Sequence, residues 1–148
     1  MNVTLEPFVA EHGVEILGRS AEPLLDWLIK MEVCGNAYTG RLEDERILGA
    51  AGVWIDPPQI GSAWVLPTPL VAQYPLAFHK TIRGMLDTIV QAHPRLEVLT
   101  GFTDPAYPER HAWMLRLGFV QTGENRSLWP EERVVKLYGK RVRNGHGT

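Results

Sequence analysis

The side chains able to exchange protons or hold metals are scattered along this chain. Its five histidines, His12, His79, His93, His111 and His146, share no ligand spacing. Cys34 is the single cysteine, so neither a zinc centre nor an intrachain disulfide is expected. Standing after a helical stretch and beside Gly35, Cys34 reads as a buried or inert thiol. No Gly-x-Ser-x-Gly elbow positions a serine, and no Walker loop cradles a nucleoside triphosphate. Asp104, just before Pro105, suits an Asx-turn or helix cap. Of the five tryptophans, Trp54, Trp64 and Trp113 fall on elements that must build the core. Trp129-Pro130 falls in a late loop, where an exposed indole would suit a partner interface.

The elements that position these groups follow from the hydrophobic pattern. Val3 and Leu5 alternate with polar neighbours, predicting a strand that ends near Pro7. A weak helix is predicted over 9–17, interrupted by Gly13. A second starts at Ser20 as N-cap, sets Leu24, Leu25, Leu28 and Ile29 on one face, and ends at Cys34-Gly35-Asn36. Strands over 37–42 and 47–55 flank the charged turn Glu43-Asp44-Glu45. The latter is almost continuously apolar, as burial on both faces requires. A third strand follows over 61–66. After Pro67-Thr68-Pro69, Phe78, Ile82, Met85, Leu86, Ile89 and Val90 step by three and four, which predicts an amphipathic helix closed by His93-Pro94. A strand over 96–102, a loop, and a short helix follow. That helix has Ala112, Leu115 and Leu117 on its apolar side and Gly118 as its left-handed stop. Strands from Phe119 and over 132–142 complete the series. Early hairpins are expected to be antiparallel and the strand–helix–strand unit at 61–102 parallel. The expectation is a single α/β domain over 1–142 with a flexible tail over 143–148.

Composition bounds the partners. The 148 residues are 45% hydrophobic and 22% charged, with a net charge of −2. Such a chain has no global attraction to nucleic acid or anionic membrane, and neither partner is expected. The locally basic run from Lys136 to Arg143 reads as a solvated end. The N-terminus lacks a signal-peptide pattern and no apolar run reaches a membrane span, so a soluble, cytoplasmic protein is expected.

Arg110-His-Ala-Trp-Met-Leu-Arg-Leu-Gly-Phe119, a helix ending in Leu-Gly-Phe before a strand, resembles the signature of the GCN5-related N-acetyltransferase (GNAT) family. The order of elements is similar over nearly the whole chain. Ala63-Trp64-Val65-Leu66, the proline loop, Pro75-Leu-Ala-Phe78 and Leu117-Gly118-Phe119 together resemble acetyltransferase-like proteins of tailed bacteriophages, some injected with the virion and others acting inside the host. The resemblance implies a central mixed, mostly antiparallel sheet flanked by helices. It also implies transfer of an acetyl or other acyl group from acyl-CoA to an amine of a small molecule or host protein. In a phage setting, that would occur in the host cytoplasm. The oligomeric state stays open between monomer and dimer.

The resemblance also assigns residues. Two splayed strand ends, Trp64-Val65-Leu66 and Gly101-Phe102-Thr103-Asp104, correspond to the family's pantetheine site. The family's glycine loop, which presents amides to the pyrophosphate, corresponds to Leu66-Pro-Thr-Pro-Leu-Val-Ala-Gln-Tyr-Pro75. This segment has no glycine and three prolines. Cofactor contacts then fall to Val65, Leu66, Thr68, Gln73, His79 and Lys80. Asp104 stands where the family often has an asparagine and is placed to position an amine. Met114 occupies the place of the usual tyrosine acid, leaving Tyr107 as the nearest donor. His79 and His111 are candidate bases, with Asp56 and Glu109 as carboxylates. Trp54, Trp64 and Phe102 are assigned to the acceptor pocket. Two alternatives keep the fold and drop the chemistry: a phage protein that binds a host protein or metabolite and modulates host metabolism, and a virion component.

Overall fold

A computed structural model describes residues 2–103, 108–127 and 133–143. The order is β1 (Thr4–Pro7), α1 (Ala10–Leu17), α2 (Leu25–Cys34), β2 (Ala37–Arg41), β3 (Ile47–Ile55), β4 (Ile60–Pro67), α3 (Pro75–Ala92), β5 (Val98–Thr103), α4 (Pro108–Arg116), β6 (Val120–Ser127) and β7 (Arg133–Arg141). The strands form a mixed, mostly antiparallel sheet in the order β1-β2-β3-β4-β5-β7-β6, flanked by helices. The β4–β5 pair is parallel, as expected of strands joined through a crossover helix. The described residues fall into two compact units, one within Met1–Trp54 and Trp64–Ala92, the other within Ile55–Ala63 and His93–Thr148.

In the first unit, β3 is buried along its first seven residues, which accounts for its unbroken apolar sequence. α3 turns Phe78, Ile82, Met85, Leu86 and Ile89 inward, as its periodicity predicted, while Val90 of the predicted set is half-buried. A cluster of Phe8, Ala21, Leu28, Met31, Ala37 and Ala50 fills the space by α1 and α2. Gly13 does not interrupt α1. The methyls of Leu28 lie where a Gly13 Cβ would stand, so this glycine is a point of helix–helix approach.

The start of α2 differs from expectation. Gly18–Leu24 forms a 3-10 helix containing Pro23, and the N-cap of α2 is Leu24, with no side-chain cap. Ser20 therefore does not cap it. Proline supplies no amide to an α-helical ladder, and the chain instead closes the tighter bond from Leu25 N–H to the Glu22 carbonyl. α2 consequently begins four residues later than predicted and buries Leu28 and Met31, while Leu25 and Ile29 stand exposed. Gly35 and Asn36 take positive φ to end it. Cys34, expected to be buried or inert, is exposed.

The second unit is built on β5. It pairs with β4 over Ile60↔Val98, Gly61↔Leu99 and Ser62↔Thr100, and with β7 from Val98↔Arg141 to Thr103↔Lys136. Leu96, Leu99, Met114, Leu117, Phe119, Val135 and Tyr138 are buried. α4 presents Met114 and Leu117 to this core, whereas Ala112 and Leu115 face outward, contrary to the predicted stripe. Of that stripe only Leu117 is buried, just past the end of the helix and before the positive-φ Gly118 and the buried Phe119. Lys140 Nζ donates to the Leu117 carbonyl at 2.8 Å, satisfying an acceptor at the helix end.

Candidate active site

In the second unit, the parallel ladder stops at Ser62↔Thr100, while β5 runs on to Thr103 with β7 along its other side. Past Thr100, β5 runs on beyond the last β4 register pair. A strand edge that outruns its neighbour offers backbone donors and acceptors to an extended ligand. Gly101 lies opposite Tyr138 in the register, and a Cβ on it would stand 3.1 Å from Met114 Cε. The thioether therefore packs over the glycine, and Met114 is buried where the resemblance places an acid.

Side-chain alternation sets Gly101, Thr103 and Tyr138 on one face, and α4 delivers His111 to it. Tyr138 Oη lies 2.7 Å from His111 Nδ1 and 3.1 Å from Thr103 Oγ1. Tyr138 is 1% exposed, so its hydroxyl needs partners within the protein. It has two. Sequence reading named His111 and placed Thr103 only on a splayed strand end, and it missed Tyr138. Nothing local in a strand pattern links Tyr138 to an imidazole 27 residues earlier.

In the first unit, the segment between β4 and α3 closes on itself. The amides of Val71, Gln73 and Tyr74 donate to carbonyls of Thr68, Leu70 and Val71 within a 3-10 turn over Pro69–Ala72. Thr68 donates its amide to Leu48, and its hydroxyl reaches the Ile47 and Leu48 carbonyls at 3.1 and 2.8 Å. Phe78 N–H makes the first bond of α3, to Tyr74. The amides of Val71, Gln73 and Tyr74 are thus turned to the segment's own carbonyls, and the segment has no glycine to form a glycine-type pyrophosphate cradle. Gln73 and Lys80 are exposed, while Val65, Leu66 and Thr68 are half-buried. His79 is half-buried on α3, and its Nδ1 is buried without a hydrogen-bond partner among the described residues.

Aromatic side chains gather in the same unit. Trp64 stands edge-on to Trp27 at 5.0 Å and to Phe8 at 5.1 Å between ring centroids. Trp54 and Trp64 both pack against the buried cluster, and Lys30 Nζ sits 4.0 Å above the Trp54 ring. Trp27, which sequence reading left unassigned, joins this group through the helical stretch before it. Phe102 belongs to the second unit and is half exposed. Asp56 and Glu109 are exposed. Asp104, Tyr107 and Trp129 lie outside the described residues, as does His146.

No family model matches the sequence, and no curated protein does. Solved structures do match in fold. An IAA acetyltransferase from Bacillus cereus is 13% identical with a TM-score of 0.74, covering 95% of this chain and 100% of that one. A spermidine N-acetyltransferase chimera from Vibrio cholerae and hSSAT is 12% identical with a TM-score of 0.72, covering 95% and 96%. A GNAT-family acetyltransferase from Streptococcus pneumoniae is 15% identical with a TM-score of 0.69, covering 95% and 100%. With a seven-stranded sheet and helices in this order, the chain has the fold of the GNAT-family acetyltransferases.

Proposed function

We propose that this protein is an N-acyltransferase that moves an acyl group from a thioester donor to an amine. The observation that carries this reading is the end of β5. The β4–β5 ladder runs over three residue pairs and ends at Ser62↔Thr100, while β5 continues to Thr103. The amide-rich pantetheine arm of a thioester can pair along a strand edge as an added strand does. In the reaction the amine nitrogen bonds to the carbonyl carbon, the C–S bond breaks, and the thiolate leaves. Acetyl-CoA, or another acyl-CoA, is the natural donor class. The 67–75 segment is not a diphosphate cradle, so recognition falls on the arm and the thioester. The amine belongs to a small molecule or a protein, a host protein if the chain is phage-encoded as the sequence resemblance suggests.

A transfer assay tests this reading. The protein is incubated with acetyl-CoA and a panel of primary amines, and both free thiol and acylated amine are followed. Amine-dependent thiol release with a matching acetylated product is expected. Thiol release that does not depend on the amine, or none at all, contradicts it. The self-closed 67–75 segment favours a second reading, a protein that keeps the fold and binds a partner without transferring acyl groups. That reading expects the second result.

A further inference from the structure

We propose that Thr103, Tyr138 and His111 form a proton-handling chain in which His111 is the base that deprotonates the acceptor amine. The inference rests on the acyl-transfer reading and extends it by naming the base. A buried tyrosine hydroxyl is satisfied by one partner, and Thr103 alone would serve at 3.1 Å. Instead α4 brings an imidazole to the same oxygen at 2.7 Å. His111 remains half-buried, and no hydrogen bond engages its Nε2 among the described residues.

The chain has two proton arrangements. In one, Nδ1–H donates to Tyr138 Oη and Tyr138 donates to Thr103 Oγ1, leaving a lone pair on Nε2. In the other, Thr103 donates to Tyr138, Tyr138 donates to Nδ1, and Nε2 carries the proton. Both hydroxyls donate and accept by rotation alone, so both arrangements keep every buried group satisfied. Tyr138 thereby holds the ring orientation in either state. It is a positioning residue, and His111 is the group that meets the amine.

The step balances as follows. The acceptor enters as an ammonium and gives one proton to Nε2. Its lone pair bonds to the thioester carbonyl carbon, and the C–S bond breaks. The second nitrogen proton goes to the departing thiolate, and the imidazolium returns its proton to water. Met114 supplies no proton at any point, which agrees with its burial against Gly101.

The test compares acceptors that differ in their need for a base. His111→Gln is assayed with an aliphatic amine, which is an ammonium at neutral pH, and with a weakly basic aryl amine, which is already neutral. Its kcat with the aliphatic amine is expected to fall about 10²-fold, within the usual range for general base catalysis. The loss with the aryl amine should be at least tenfold smaller. Tyr138→Phe should lower kcat while leaving KM in place, and should move the Nδ1 nitrogen resonance of His111 in the NMR spectrum. That spectroscopic change needs no turnover, so it reads the chain even if the His111 variant folds poorly. Equal losses with both acceptors, or an unmoved Nδ1 resonance, would overturn the proposal. Absence of transfer by the wild-type protein from every thioester would sink the acyl-transfer reading, and this assignment with it. Full transfer by His111→Gln would remove only the assignment.

Discussion

Glu6 accepts a hydrogen bond from Arg41 Nε at 2.8 Å, and its Oε1 also lies 3.2 Å from His12 Nε2. The Arg41 guanidinium holds the Glu6 carboxyl below its ordinary value of 4.5. A folded-state pKa below the unfolded one means that the pair contributes stability above about pH 4.5. The contribution is lost as the pH falls through the lowered folded value. Glu6→Gln should therefore lower stability slightly at neutral pH and flatten the stability–pH curve below pH 4.5, so that the two proteins converge in acid. Denaturant titrations from pH 6 down to pH 3 read this directly, and equal acid sensitivity in the two proteins would contradict it. Solvent screening keeps the effect small, because the carboxylate is exposed. At this scale the sequence exposes residue types but not their neighbours. His111 was legible as a candidate base, and Met114 as a group without a proton to give. Tyr138 was not legible as the hydrogen-bond partner of His111, because that contact arises from tertiary packing that no local pattern encodes.

Elements were more legible than residues wherever burial repeats with a fixed period. The unbroken apolar run of β3 and the three-and-four spacing of α3 both survive in the structure. The start of α2 was less legible, because Pro23 stabilises a 3-10 turn that a reading of caps and apolar faces does not anticipate. The stripe of α4 was legible only at Leu117, since the helix buries Met114 and leaves Ala112 and Leu115 exposed. Close packing around β3 makes a sharp prediction. A Cβ at Gly52 would meet the Asn36 carbonyl oxygen at 2.8 Å, Ala37 Cβ at 2.7 Å and Trp64 Cζ2 at 2.8 Å. The first is backbone on the adjoining chain and cannot swing aside. Gly52→Ala should destabilise the protein by about 1–3 kcal/mol through overpacking, read as a lower Tm. It should also blue-shift or quench tryptophan fluorescence as Trp64 is displaced from Trp27. An unchanged Tm would show that the aromatic group is looser than these distances imply.

At the scale of the molecule, fold and chemistry separate. No helix among the described residues is long and apolar enough to cross a membrane. The likeness to acetyltransferases spans 95% of the chain at 12–15% identity, which carries architecture and leaves the site to be argued from its own residues. The architecture was legible because the order of strands and helices is a long-range pattern. The missing glycines of the 66–75 segment were legible too. The closing of the Val71, Gln73 and Tyr74 amides on their own turn was not, because it depends on the backbone geometry of that turn. The central claim is that the protein takes a thioester donor by its arm. Thermal denaturation with acetyl-CoA and, in parallel, with acetyl-pantetheine tests it most directly. A ligand at about a hundred times its Kd adds roughly 2.7 kcal/mol, a rise of about 5–11 °C in a domain of this size. Saturable shifts with both ligands, at affinities within about tenfold of each other, are the predicted result. No shift with either ligand at millimolar concentration would contradict the account.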